Sequence, residues 1–299
     1  MTESALPVRG SMAPSRTPPR RSFAAIAWKR FQSNRIAMVS AAVLIALVLA
    51  ATLAPIISSH DPNEVSIFRS HERPSAEHWL GTDENGRDEL SRLLYGARIS
   101  MSVGFIAMAI GLTIGVLIGS IAGFFGGFVD AVLMRLTDGM LAIPYFFLIL
   151  IVVAVFGSSV RNLILVIGLT SWMAIARIVR SEVLRLKGQE FVIAAESIGV
   201  SSGRILARHI VPHAVPSIIV AATLGIANAI LLESALSYLG VGVRPPEASW
   251  GNMLSNSQAY LWNNPLLPVY PGVLIFVSVL AFNFVGDALR DALDPRLKS

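Results

Sequence analysis

The sequence predicts an all-α, polytopic membrane protein whose chain crosses the bilayer about six times. Two observations carry that class. Of the 299 residues, 54% are hydrophobic and only 14% charged, with a mean hydropathy of +0.64, far from the balance of an ordinary soluble domain. The apolar residues also come in long uninterrupted runs, without the period-2 or period-3.6 stripes of half-buried elements. One membrane domain with polar extensions follows.

Residues 1–22, with Arg9, Arg16, Pro18, Pro19, Arg20 and Arg21, hold too little apolar content to fold alone and read as a disordered cytoplasmic tail. A region at 23–98 then carries the first span and a long outward loop, and 99–299 forms the core transmembrane domain. Six runs nearly free of charge lie at 36–57, 99–125, 139–160, 162–179, 214–232 and 266–286. Most reach the roughly 20 residues that a helix needs to cross the hydrocarbon core. The first run exceeds the apolar stretch of a secretory signal and sits behind a long polar lead, so it is expected to be an uncleaved anchor.

In the second run Gly111, Gly115, Gly119 and Gly123 recur every four residues, leaving one helical face with almost no side-chain volume. That face is expected to pack closely on another helix. Pro144 in the third run, and Pro268 with Pro271 in the sixth, are expected to kink a helix or begin one.

The net charge of +5 sits on basic residues near the ends of the apolar runs, which is a topology signal and not a nucleic-acid surface. Lys29, Arg30 and Arg35 precede the first run, and Arg177, Arg180, Arg185, Lys187, Arg204 and Arg208 gather between the fourth and fifth. The loop at 58–97 carries more acids than bases. Both termini and the loop between spans four and five are therefore expected in the cytoplasm, and the loops at 58–97 and 238–265 outside. Cysteine is absent, which excludes disulfides, thiolate metal sites and a cysteine nucleophile.

The stretch at 190–199 is the most informative. Phe191, Ala194 and Ile198 form one apolar stripe at helical spacing, and Gly199 suits the left-handed position that ends a short helix. Ser201 or Ser202 can cap a second one. An exposed apolar ridge on a cytoplasmic loop is expected to bury against a partner.

Ala194-Ala195, then Gly199, then Pro212 resembles the EAA loop of ABC-importer permeases, here 189–212, with Ile193 where that signature has Glu. Three further segments are similar to the dipeptide, oligopeptide and nickel branch of those permeases. They are Leu80-Gly81-Thr82-Asp83 with Gly86-Arg87-Asp88, Leu236-Ser237-Tyr238-Leu239-Gly240 with Pro245, Pro246 and Ser249-Trp250-Gly251, and Asp291 with Asp294-Pro295-Arg296. The resemblance implies the type I ABC-importer permease fold and the second permease of a binding-protein-dependent importer for di- or oligopeptides, in a bacterial inner membrane. It implies four kinds of partner: a homologous second permease subunit, two ATP-binding subunits, an extracytoplasmic substrate-binding protein and membrane lipid. In it, Phe191, Ile193, Ala194, Ala195, Ile198, Gly199 and Pro212 couple the chain to the ATPase. No glycine loop ending Gly-Lys-Ser/Thr occurs, so the chain is not expected to be an enzyme or to bind a cofactor, and ATP with Mg is expected on the partner subunits.

Other residues carry weaker expectations. Glu233, near the outer end of the fifth span, is expected to line the pathway or an outer gate, or to make a structural ion pair or hydrogen bond. Asp83, Arg87 and Asp88 either dock the binding protein or simply organise their loop. His60, His71 and His78 fit no short metal-ligand spacing, so no metal site is expected. Trp79, Trp250, Tyr260, Trp262 and Tyr270 read as an interfacial belt. A self-contained channel or secondary transporter is the alternative function, and an intramembrane enzyme a third. Neither accounts for the loop at 189–212.

Overall fold

A computed structural model describes residues 23–293. The expected tail at 1–22, and Asp294, Pro295, Arg296 and Lys298, lie outside the described residues. Among the described residues there is no strand, only one isolated antiparallel bridge between Thr82 and Asp88.

Helix α1 (Phe23–Ser33) is separated from α2 (Arg35–Thr52) by Asn34, whose side chain accepts from the Ala37 N–H at 3.1 Å and caps α2. A short α3 (Ala54–Ile57) leads into the first long loop. α4 (Glu89–Phe125) has 37 residues, about 55 Å at 1.5 Å per residue, so it extends well beyond a hydrocarbon core of roughly 30 Å. Asp88 caps it, accepting from the Ser91 N–H at 2.8 Å, and Gly126, at φ +66°, ends it.

The third apolar run bends at Pro144, as that proline predicts. The break separates α5 (Gly127–Leu141), which starts ahead of the run, from α6 (Tyr145–Phe156), and the two helices meet at 79°. Pro144 explains the break: it has no N–H to continue the ladder and disfavours helical backbone at Ile143. With 12 residues, α6 rises about 18 Å and is too short to span alone.

α7 (Val160–Lys187) starts at Ser159, whose hydroxyl accepts from the Asn162 N–H at 3.2 Å. It is followed by α8 (Glu190–Ser197), α9 (Ser202–Ile205), a π-helical turn over Leu206–Ile210, and α10 (Val211–Tyr238). α11 (Trp250–Ser257) carries a reciprocal cap between Ser249 and Asn252, and α12 (Leu266–Leu293) closes the described chain. Among the described residues, five helices are long and apolar enough to cross a membrane, or six if the bent pair counts as one span.

The glycine face packs on α7, as its period predicts. A Cβ at Gly115 would stand 2.7 Å from the Ile175 Cβ, and one at Gly123 2.9 Å from the Arg180 carbonyl oxygen. Gly111 faces Ser171, and Gly119 faces the Ala176 carbonyl. Because the partners advance with the glycines, α4 and α7 run parallel. α10 runs antiparallel to α4, with Gly104 against Ile230 and Gly225 against Met108. One end of the bundle therefore gathers the loops around Asp88 and Trp250, and the opposite end gathers α8 and α9.

Candidate functional site

At the α8 end, one face of the short helix is built into the bundle and the other is left free. Val192 and Ala195 are buried and share an apolar cluster with Val183, Leu186, Ile205 and Ile210. Ala194 is exposed, as are Phe191 at 36%, Ile193 at 53% and Ile198 at 80%. The expected stripe of Phe191, Ala194 and Ile198 therefore points outward. Ala195 does not belong to that surface: one position along the helix, it turns inward.

Gly199 ends α8 at φ +77°, with its N–H bonded to the Glu196 carbonyl at 3.0 Å and the Val200 N–H bonded to the Ala195 carbonyl at 3.1 Å. Those two bonds satisfy carbonyls that a helix end would leave unpaired, and the positive φ is why glycine stands there. Ser201 occupies the cap position of α9 without a side-chain bond.

Pro212 sits two residues beyond the end of the π turn. The Val211 N–H reaches back five residues to the Leu206 carbonyl, and the wider turn lets the chain pass a residue that cannot donate. The Phe191 ring stacks on His213, with centroids 4.8 Å apart and an interplanar angle of 25°. Beside this stack opens a cleft of about 860 Å³, lined among others by Glu182, Arg185, Pro216 and Arg290.

The sequence reading missed a second brace at this end. Asp130 of α5 receives both Nε and Nη2 of Arg180 at 2.5 Å, and Arg177 Nη2 reaches Asp138 at 2.5 Å. The available signal was the spacing of eight between the two acids, which places them on one helical face.

At the opposite end, Asp83, Arg87 and Asp88 are all buried, which corrects the picture of side chains offered for docking. Arg87 Nε donates to Asp83 Oδ2 at 2.6 Å, Arg92 Nε lies 3.4 Å from the same oxygen, and Arg92 Nη1 donates to the Pro62 carbonyl at 3.0 Å. The network organises the loop from within. Burial alone would raise the Asp88 carboxyl, but hydrogen bonds from Ser91 and His78 and the nearby His60 outweigh it and hold the group below the ordinary carboxylate range.

Glu233 is fully buried, and its oxygens are held by hydroxyls. Ser100 Oγ donates to Oε2 and Ser237 Oγ to Oε1, each at 2.7 Å. Ser100 Oγ accepts from the Trp250 N–H at 3.3 Å, and Ser237 Oγ accepts from the Val243 N–H at 3.0 Å. These hydrogen bonds tie α4 and α10 to the loop before α11. Trp250 likewise leaves the expected interfacial belt, because it is fully buried with its indole N–H on the Leu93 carbonyl at 3.2 Å. Trp79 and Trp262 remain exposed at 70% and 91%. The loop histidines also depart from their sequence spacing: His60 and His78 lie beside Glu77, whereas the His71 ring lies against Tyr260, centroids 4.4 Å apart and tilted by 53°.

The fold and these two ends define a membrane permease subunit of an ABC importer. Residues 115–299 match the family described as binding-protein-dependent transport system inner membrane component, and residues 22–74 match the N-terminal TM domain of oligopeptide transport permease C. The chain belongs to this family, in its peptide branch, as a multi-pass inner-membrane protein. It is 40% identical to the dipeptide transport system permease protein DppC of Alkalihalophilus pseudofirmus, over 100% of this chain and 99% of that relative. It is 42% identical to the oligopeptide transport system permease protein OppC of Bacillus subtilis, over 91% of this chain and 90% of the other. It is 45% identical to the glutathione transport system permease protein GsiD of Shigella flexneri, again over 91% and 90%. Members of the family are permease subunits and not themselves enzymes.

Proposed function

We propose that this permease forms half of a translocation pathway for di- and oligopeptides, and that α8 couples it to ATP hydrolysis on partner subunits. The observation that carries the coupling reading is the division of α8. Val192 and Ala195 anchor it in the bundle, while Ile193, Ala194 and Ile198 stand free and Phe191, stacked on His213, stays partly exposed. Such a ridge gains by burial in a groove of another protein, at about 25 cal/mol per Å² of apolar area.

On this reading a homologous permease supplies the other half of the pathway, and two ATP-binding subunits hold ATP and Mg. An extracytoplasmic binding protein delivers substrate to the end of the bundle around Asp88 and Trp250. Closure of the ATPase pair moves α8, and the Phe191–His213 stack passes that movement to α10. Coupling requires that one nucleotide state favour one arrangement of the helices over another. The basic residues flanking α7 and α9 support a cytoplasmic α8 end, with both termini on that side. Support for the substrate class is that the three relatives are named for dipeptide, oligopeptide and glutathione transport, all short peptides.

Affinity purification of the tagged chain in mild detergent tests the assembly. Co-recovery of two ATPases and a second permease is expected, followed by peptide uptake in vesicles that depends on ATP and the binding protein. Recovery of the chain alone, under conditions that preserve known complexes, overturns the coupling reading. Uptake of a non-peptide solute in preference to peptides overturns the substrate.

A further inference from the structure

The loop between α3 and α4 carries a donor set that transport leaves unused. A ring nitrogen of His60, a ring nitrogen of His78 and a carboxylate oxygen of Glu77 lie within 4.8 Å of one another. Three further observations bear on it. The buried His78 has its Nδ1 2.9 Å from Asp88 Oδ1, the carboxylate pairing that orients an imidazole so that Nε2 presents a lone pair to a ligand. That Nε2 and Glu77 Oε1 already share one cationic group, since Arg69 Nη1 lies 3.2 Å from the first and 2.5 Å from the second. His60 Nδ1 is buried and has no hydrogen-bond partner.

The backbone of the site is braced as well. The Ser75 N–H donates to the His78 carbonyl at 2.8 Å, and the His78 N–H donates to Ser75 Oγ at 3.0 Å. Ser58 Oγ donates to the His60 carbonyl at 2.6 Å. We propose that His60, Glu77 and His78 bind one divalent transition-metal ion of the zinc type, and that the Arg69 guanidinium competes with the ion for Glu77 and His78.

Two imidazoles and one carboxylate suit Zn²⁺, whereas Mg²⁺ and Ca²⁺ prefer oxygen alone. Tetrahedral bonds near 2.1 Å place donors roughly 3.4 Å apart, so the set must contract by about 1.4 Å at most. The side chains that must move are accessible: His60 is 26% exposed, Glu77 59% and Arg69 43%. His78 stays fixed by Asp88, which also caps α4. A bound ion would therefore clamp the segment after α3 to the start of α4.

The test is equilibrium dialysis of the purified full-length chain, stripped with chelator, against ZnCl₂ in the presence of excess MgCl₂, with retained metal measured by atomic emission. One zinc per chain is expected. Glu77→Gln and His60→Asn should each weaken binding by about tenfold or more, Arg69→Gln should tighten it by a similar factor, and His71→Asn should leave it unchanged. Glu77 and Arg69 are exposed enough that their variants will fold, as zinc-free unfolding midpoints equal to the parent's will verify. Unchanged affinity in Glu77→Gln and His60→Asn chains that fold normally overturns the site. Loss of the zinc to excess MgCl₂, or no tightening in Arg69→Gln, overturns it equally.

Discussion

The Phe191 ring of α8 lies against the His213 ring of α10, 4.8 Å between centroids and 25° from parallel. It is a direct side-chain link between the short helix that presents the exposed ridge and a long helix that reaches the other end of the bundle.

If that stack transmits movement, Phe191→Ala lowers peptide uptake per ATP hydrolysed while the protein still inserts and assembles. A double-mutant cycle with His213→Ala on unfolding in detergent should return a coupling of about 1 kcal/mol. Independent, additive effects of the two substitutions exclude the link.

Gly199 holds φ +77°, yet a Cβ there meets nothing within 4 Å. Gly199→Ala should cost about 1–2 kcal/mol through backbone strain alone. Gly199→Trp should insert normally while hydrolysis and transport become uncoupled, because the bulk falls beside the exposed ridge. Normal coupled transport by the tryptophan variant excludes α8 as the coupling element.

Gly119 faces the Ala176 carbonyl of α7, while a Cβ at Gly139 meets nothing within 4 Å. Gly119→Val should separate α4 from α7 and cost about 3 kcal/mol or more, seen as loss of monodisperse protein on size exclusion. Gly139→Ala should be neutral or stabilising by up to about 1 kcal/mol. Equal behaviour of the two variants contradicts the packing.

Glu233 accepts from Ser100 and Ser237, each at 2.7 Å. Glu233→Ala leaves both hydroxyls without their acceptor and opens a cavity, at a cost of about 3 kcal/mol. Glu233→Gln keeps the shape and one acceptor and should cost about 1 kcal/mol. Chemical unfolding in detergent distinguishes them. An alanine variant as stable as the parent, with altered uptake, would instead place Glu233 in the pathway.

Asp88 has a folded-state carboxyl held below its ordinary range. Its contribution to stability is therefore full above the unfolded value, near 3.9, and is lost as pH falls through the lower folded value. The unfolding temperature of the chelator-treated protein should drop on acidification below about pH 4, and Asp88→Asn should drop less over the same interval. An equal acid response in both proteins removes Asp88 as its source.

Much of the architecture is legible in the sequence because lipid imposes it. Five of the six apolar runs, the glycine period of α4 and the turn at Gly199 each follow from local geometry, and each stands where its pattern places it. The resemblance at 189–212 likewise rests on residues close together in the chain. What tertiary structure alone decided involves partners distant in the chain. Trp250 is amphipathic, and only the approach of Leu93 and Ser100 turns it from a boundary residue into core. Glu233 reads alike as gate or brace until two serines, one 133 positions away, close on it. Asp83, Arg87 and Asp88 have the spacing of surface pairs, and burial beneath the loop is invisible to spacing. His60 and His78 meet because that loop folds back on itself. Periodicity reports which face of a helix is apolar, but it carries no record of which distant group arrives there to satisfy a polar one.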